Sequence, residues 1–96
     1  MNDFIRQIDE DLSQNKVPLL LIANAGSYNS GQCDNIPQLE RICTHYKLWL
    51  HLDGLYLSTL ALYSVPQVIQ PINSGDSITL DLGAWIGISN LPYVVI

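Results

Sequence analysis

Apolar residues recur at helical spacing near the amino terminus and then gather in short continuous runs. The first pattern predicts an amphipathic helix from about Asn2 to Ser13, with acidic residues on its polar side. Its apolar positions are Phe4, Ile5, Ile8 and Leu12. The next apolar run, residues 17–23, is too short for a helix and has the length of a strand that is covered on both faces, as in parallel sheets.

A second helix is predicted after a polar loop that spans residues 24–35. Asp34 and Asn35 are candidates for its N-cap, and Pro37 suits its first turn because the N–H that proline lacks has no partner there. The apolar stripe of this helix consists of Ile36, Leu39, Ile42, Cys43 and Tyr46. Further strands are predicted at residues 48–52, 77–80 and 93–96. Residues 54–63 predict a short helix or irregular structure, and two prolines limit any helix in residues 65–73 to a brief one.

Strands joined by crossovers of a dozen or more residues form βαβ units, so this order of elements predicts the α/β class with a partial, mostly parallel sheet. Ligands of such sheets bind beyond the carboxyl ends of the strands. Residues 24–26, 51–54 and 81–84 are therefore expected on one rim of the sheet.

Composition indicates one small domain that buries a face against something else. The chain has 96 residues, of which 48% are hydrophobic and 14% are charged, an apolar balance for so short a sequence. It is expected to be a piece of a larger core or a subunit that covers a face with a partner. The net charge of −5, with four lysines and arginines in all, argues against binding to nucleic acid.

Cys33 and Cys43 have no neighbours at metal-ligand spacing, so no metal site is expected. They predict reduced thiols in a cytoplasmic protein, with a single disulfide as the alternative. The apolar stretch of residues 48–63 is shorter than the ~20 residues of a membrane span, and His51 and Asp53 interrupt it. No association with a membrane is therefore expected.

Three segments carry a more specific pattern. They are Ala23-Asn24-Ala25-Gly26-Ser27 with Gly31 and Asp34, then Leu48-Trp49-Leu50-His51-Leu52-Asp53-Gly54, and then Asp76-Ser77-Ile78-Thr79 followed by Trp85-Ile86-Gly87. In this order and spacing they resemble the Ala-Thr-Ala-Gly-Thr, Leu-Trp-Leu-His-Val-Asp-Ala and Asp-Ser-Val-Thr…Trp-Leu-Gly segments of the group II decarboxylases that depend on pyridoxal phosphate (PLP). Residues 18–26, Pro-Leu-Leu-Leu-Ile-Ala-Asn-Ala-Gly, resemble the Pro-Leu-Leu-Leu-Val-Ala-Asn-Ala-Gly of one divergent branch, the pyridoxal-dependent decarboxylase domain-containing proteins.

The resemblance implies a fold, a cofactor and a partner. Residues 1–96 would be the central segment of the large domain of a fold type I PLP-dependent transferase. The full-length protein would be a homodimer that takes an amino-acid-like substrate, and PLP would bind weakly or not at all within this segment.

The resemblance also implies roles for individual residues. Asp53 matches the aspartate that keeps the cofactor's ring nitrogen protonated; alternatively, it caps the segment that begins at Gly54. As the end of a buried strand, it is expected to need a charged partner. Ala84 occupies the position of the Schiff-base lysine, so no catalytic residue is assigned, and neither Lys16 nor Lys47 is placed to replace it.

Three further residues match cofactor-binding positions, each with an alternative. Alternation puts His51 on the same face as Asp53, where it would support the acid by a hydrogen bond. Alternatively, it is a half-buried strand histidine whose ring nitrogens have other hydrogen-bond partners. Ser27 matches a threonine near the cofactor, or serves turn chemistry. Asp81 replaces an asparagine near the phosphate, where its charge opposes phosphate binding, or it caps a strand end.

Three functions remain open on these residues. The first is a degenerate member of the decarboxylase family that binds PLP weakly through Asp53. The second is a working decarboxylase that uses an amine from outside this segment. The third is a binding module without a cofactor, in which the βαβ core is only a scaffold.

Overall fold

The structure, a computed structural model, describes residues 1–27, 29–54, 73–90 and 93–96. The elements in this part of the chain are α1 (Asn2–Ser13), β1 (Leu20–Asn24), α2 (Ile36–Tyr46), β2 (Trp49–Asp53), β3 (Ser77–Asp81), α3 (Leu82–Ile86) and β4 (Tyr93–Val95). The predictions for residues 55–72 lie outside the described residues.

The described strands form one sheet in the order β1-β2-β3-β4. β1 pairs with β2 and β2 with β3 in parallel, whereas β4 runs antiparallel to β3. The α/β class with a mostly parallel sheet is thereby confirmed. Because the first three strands are parallel, their carboxyl ends lie at the same edge, which we call the carboxyl rim.

The two longer helices agree with their sequence signals. α1 has the predicted bounds. α2 begins after Asn35, whose side chain accepts a hydrogen bond from the Gln38 backbone N–H at 3.3 Å, and Pro37 lies in the first turn. The helix ends at Lys47, which adopts a left-handed conformation with φ 58° and turns the chain into β2.

Helix α2 packs on one face of the sheet, and α1 adds Ile8 to the same buried core. β2 shows why, since its side chains alternate: Leu50 and Leu52 are buried, whereas Trp49 and Asp53 are exposed. The buried core consists of Ile8, Ala23, Ala25, Ile36, Leu39, Ile42, Cys43, Leu48, Leu50 and Leu52. This layer provides the chain's main hydrophobic contribution to stability.

The opposite face of the sheet is open, and the prediction that β1 is covered on both sides is wrong for this chain. Leu20 and Ile22 of β1 are 52% and 59% exposed, and Trp49 of β2 is 53% exposed. An all-apolar strand signals burial on two faces, but the described residues supply a helical layer for only one. We call the surface that carries Leu20, Ile22 and Trp49 the open face.

A hydrogen bond ties the helices together at their polar surfaces. The Tyr46 hydroxyl of α2 donates to an Asp9 carboxylate oxygen of α1 at 2.8 Å. This bond to a carboxylate, with smaller contributions from burial and the nearby charge, raises the pKa of Tyr46 above its ordinary value. The contact fixes α1 against α2 across 37 residues of sequence.

α3 was not predicted, although its capping residues were visible in the sequence. The Asp81 carboxylate accepts a hydrogen bond from the Ala84 backbone N–H at 2.9 Å at its start, and Gly87 ends the helix at φ 73°. Its five residues are too few to show a helical period. Among the described residues, no helix is long and apolar enough to cross a bilayer.

Candidate functional site

The carboxyl rim brings together the segments that the sequence singled out. Asn24 of β1 is the register partner of Asp53 of β2, and Asp53 is in turn the register partner of Thr79 of β3. Asp81 lies two residues further along β3, about 6.6 Å at the rise of a strand. The expected convergence of residues 24–26, 51–54 and 81–84 on one rim is therefore confirmed.

Asp53 ends β2 on the open face. Its side chain is exposed rather than buried, because no layer of the described residues covers that face. Its backbone carbonyl accepts from the Ala25 N–H at 2.7 Å, but no hydrogen bond or ion pair to its carboxylate occurs within the described ranges. The carboxylate therefore has free acceptor sites that point away from the helical layer.

His51 lies on the same face but does not support Asp53 directly. Its Nδ1 lies 2.7 Å from the Ser77 hydroxyl oxygen, and its Nε2 lies 2.8 Å from that of Thr79. Both ring nitrogens are thus occupied by hydroxyls of β3, and the predicted hydrogen bond to Asp53 is absent from these contacts. The structure agrees with the alternative of a satisfied, half-buried strand histidine.

Trp49 extends this arrangement toward the start of β2. Its indole N–H donates to the same Ser77 hydroxyl at 2.8 Å. Within the described residues, its side chain lies half-exposed on the open face. Trp49, Ser77, His51 and Thr79 thereby form a continuous set of contacts between β2 and β3, which we call the polar ladder.

Ser77 and Thr79 were not selected from the sequence as site residues. The available signal was their alternation: Ser77 and Thr79 of β3 are the register partners of His51 and Asp53 of β2, all on one face. Recognising the match requires the strand register, which sequence periodicity alone does not provide.

Ser27 lies in the loop that follows β1, beside the rim. Its hydroxyl oxygen is 2.6 Å from that of Ser30, and it accepts from the Gln32 backbone N–H at 3.2 Å. These contacts correspond to the alternative of turn chemistry. The base of the loop is closed at Asn24 and Asp34, where the Asn24 N–H donates to the Asp34 carboxylate at 2.8 Å and the Asp34 N–H donates to the Asn24 carbonyl at 2.9 Å.

Asp81 and Ala84 are brought together by the start of α3. The hydrogen bond from the Ala84 N–H to the Asp81 carboxylate agrees with the capping alternative for Asp81. Ala84 is exposed and provides no ionisable group. The strand tip and this turn therefore carry two carboxylates, Asp53 and Asp81, at adjacent strand ends.

The lysines of the chain lie away from the rim. Lys16 pairs with Asp11 at 2.9 Å, just after α1. Lys47 precedes β2 and thus lies at the amino-terminal edge of the sheet, opposite the rim. A cavity of about 440 Å³ at that edge is lined by Lys47, Glu40 and Asp76 among others. Cys33 and Cys43 are free, as expected for reduced thiols.

A family model for the pyridoxal-dependent decarboxylase conserved domain matches residues 1–90. The chain belongs to the pyridoxal-dependent decarboxylase family. Within this family, pyridoxal-dependent decarboxylase domain-containing protein 1 of Xenopus laevis is 41% identical over 91 residues, which cover 95% of this chain. The aromatic-L-amino-acid decarboxylase of Bacillus atrophaeus is 38% identical over 82 residues, or 84% of this chain.

Solved structures agree with the fold. The 4-hydroxyphenylacetaldehyde synthase of Rhodiola rosea superposes with a TM-score of 0.77 and 28% identity, covering 96% of this chain and 20% of that one. Mouse CSAD superposes with a TM-score of 0.83 at 21% identity, covering 98% of this chain and 20% of that one. The chain spans 12% of the length of the Xenopus relative and 17% of the Bacillus decarboxylase.

Proposed function

We propose that this chain is the central part of a decarboxylase-like protein that binds PLP weakly through Asp53 and does not decarboxylate amino acids through a covalently linked cofactor. The observation that carries the proposal is the position of Asp53. It is an exposed carboxylate at the carboxyl rim without a partner in the described part of the chain, in a segment that matches a PLP-dependent family.

The residues of the rim fit the ring nitrogen of this cofactor. When bound, PLP withdraws electrons from a substrate carbon into its ring, which requires a protonated ring nitrogen. A carboxylate stabilises that proton by charge and by a charge-assisted hydrogen bond. Asp53 has acceptor sites for it, because its carboxylate has no hydrogen bond or ion pair in the described part of the chain.

The same residues offer nothing for a covalent link. Ala84 has no amine, Lys16 pairs with Asp11, and Lys47 precedes β2 at the opposite edge. Asp81 adds a negative charge beside the turn, where it would repel the phosphate of PLP. Two like charges about 4 Å apart repel by about 1 kcal/mol in water and about 4 kcal/mol near a protein surface. Weak binding without decarboxylation follows from these two features.

We expect Asp53→Asn to weaken PLP binding to the full-length protein roughly tenfold or more. Loss of a hydrogen bond to a charged group costs about 1.5–3 kcal/mol, and about 1.4 kcal/mol corresponds to a factor of ten in affinity. Titration calorimetry measures the change. Asp3→Asn on exposed α1 is the matched control and should bind like the unaltered protein; equal affinity of the Asp53 variant would contradict the proposal.

A second candidate is a working decarboxylase, which the identity to the Bacillus enzyme favours. In it, a homodimer would supply an amine from outside this segment. Borohydride treatment of the full-length protein with PLP separates the two candidates. A reduced adduct on one specific lysine would favour the working enzyme, whereas reversible binding without an adduct supports the degenerate protein.

We expect Ala84→Lys alone to leave amino-acid decarboxylation unrestored in the full-length protein. The introduced amine would follow Gly83 and lie beside the Asp81 carboxylate that caps α3, whereas the family resemblance implies histidine and asparagine at those positions. Release of CO₂ from a panel of aromatic and acidic amino acids provides the assay. Decarboxylation clearly above that of the unaltered protein would show that the lysine was the only missing part.

A further inference from the structure

The polar ladder begins at a group that can only donate and ends beside Asp53. The Trp49 indole has an N–H and no acceptor, so the Ser77 oxygen must accept from it. Ser77 contacts His51 Nδ1, His51 Nε2 contacts Thr79, and Thr79 is the register partner of Asp53 on the same face. Each contact is 2.7 or 2.8 Å long.

Two arrangements of hydrogens satisfy these contacts when the imidazole ring is neutral. In the first, Ser77 donates to Nδ1 and Nε2–H donates to Thr79, so every bond points toward Asp53. In the second, Ser77 accepts from both Trp49 and His51, and Thr79 donates back to Nε2. The number of bonds is equal, but bonds that run head to tail polarise and strengthen one another, which favours the first arrangement.

We propose that Trp49, Ser77, His51 and Thr79 form a one-way hydrogen-bond relay that leaves the Thr79 hydroxyl hydrogen available to Asp53, its register partner on β2. His51 and Ser77 are then positioning residues for this carboxylate. The relay rests on these contacts and on the mutual strengthening of bonds that run head to tail, whereas its effect on the cofactor rests on the proposed function.

The relay would orient the Asp53 carboxylate. In the first arrangement, the Thr79 oxygen accepts from His51, and its hydrogen has no acceptor in the ladder. The described residues show no hydrogen bond between these two side chains, but neighbouring strands lie about 4.8 Å apart, so a rotation of the Asp53 side chain would bring its carboxylate within reach of the Thr79 hydroxyl. A hydrogen bond from Thr79 would hold one carboxylate oxygen and leave the other for a protonated ring nitrogen.

The hydrogen on His51 provides a test that needs no cofactor. Solid-state ¹⁵N NMR of the full-length protein, labelled at histidine nitrogens, distinguishes protonated from bare ring nitrogens, and the signals lost in His51→Gln identify this ring. We expect the hydrogen on Nε2 alone. Ser77→Ala should give a mixture of tautomers, and Ser77→Thr should restore the single form. If Ser77→Ala does not fold, Trp49→Phe takes its place and should weaken the preference for the tautomer with the hydrogen on Nε2.

A matched serine at the other edge of the sheet controls for general loss of a hydroxyl. Ser74 donates to Glu40 at 2.8 Å, so Ser74→Ala removes a contact between elements without touching the ladder and should leave the His51 signals unchanged. A hydrogen on Nδ1 in the unaltered protein, or the same single form in Ser77→Ala, would overturn the relay.

PLP affinity then tests the positioning role. Ser77→Ala should weaken binding roughly fivefold, the effect of about one neutral hydrogen bond, and Ser77→Thr should recover it. An altered tautomer with unchanged affinity would overturn the role of His51 and Ser77 in positioning Asp53. If the unaltered protein shows the expected tautomer and no PLP binding, the proposed function fails, the positioning role fails with it, and the relay stands.

Discussion

Leu52→Ala is expected to lower the free energy of unfolding of the 96-residue chain by about 2–5 kcal/mol. Leu52 lies in the middle of the sheet, is 0% exposed and is among the largest fully buried side chains. Removing three carbons there loses their burial and leaves a cavity between β2 and the helical layer, because neighbouring strands cannot close around a single missing side chain. Urea unfolding followed by circular dichroism at low micromolar concentration gives the change.

An exposed leucine of the same chain is the control for this substitution. Leu19 precedes β1 and is 74% exposed, so Leu19→Ala should change the unfolding free energy by no more than about 0.5 kcal/mol. Equal effects at the two positions would mean that the two faces of the sheet are not distinguished as the structure describes, and the assignment of the core would have to be abandoned.

Self-association of the isolated chain is the second large effect we expect. The open face exposes Leu20, Ile22 and Trp49, and edge strands with exposed apolar side chains favour pairing between molecules. At concentrations of tens of micromolar, light scattering should therefore report oligomers or aggregates. Ile22→Lys should strongly reduce them, because it places a charge in the centre of this surface.

A lysine substitution outside the sheet is the control that separates an effect of the open face from an effect of net charge. Val17 is 75% exposed and precedes β1, so Val17→Lys changes the net charge equally and should leave association nearly unchanged. A chain that stays monomeric and unfolds cooperatively at these concentrations would contradict the expected role of the open face, as would an equal response to both lysine substitutions.

The elements could be predicted where local chemistry determines them. α1 and α2 follow from their apolar period and from Asn35 and Pro37, and the parallel strands follow from short apolar runs separated by a helix. α3 could not be predicted in the same way, because its five residues are shorter than one repeat of an apolar stripe. Its two ends were nevertheless marked by Asp81 and Gly87.

Burial was harder to predict than secondary structure. An apolar strand such as β1 does not indicate which neighbour covers each face, and the residues that the structure describes cover only one. Asp53 was expected to be buried and paired for the same reason, and it is exposed. Burial depends on what packs above the strand, which is a property of the assembled sheet and not of the strand's own residues.

The sequence predicted where the candidate site lies, but it did not predict which side chains contact one another there. The topological rule for parallel strands correctly joined Asn24, Asp53 and Asp81 at one rim. The partners of His51 were missed because they depend on the register between β2 and β3. Side chains two residues apart in sequence share a face, but their bonds run to the adjacent strand.

The loop after β1 should tolerate changes in its length, because its base is closed by hydrogen bonds. Two hydrogen bonds join Asn24 to Asp34, and Ala25 bridges Cys33 just beyond them. Extra residues inserted between Ser27 and Gln32 would enlarge a segment whose ends are already fastened, at a cost that rises only slowly with its length. Insertions and deletions could therefore reshape this loop beside the strand tips while β1 and α2 keep their places.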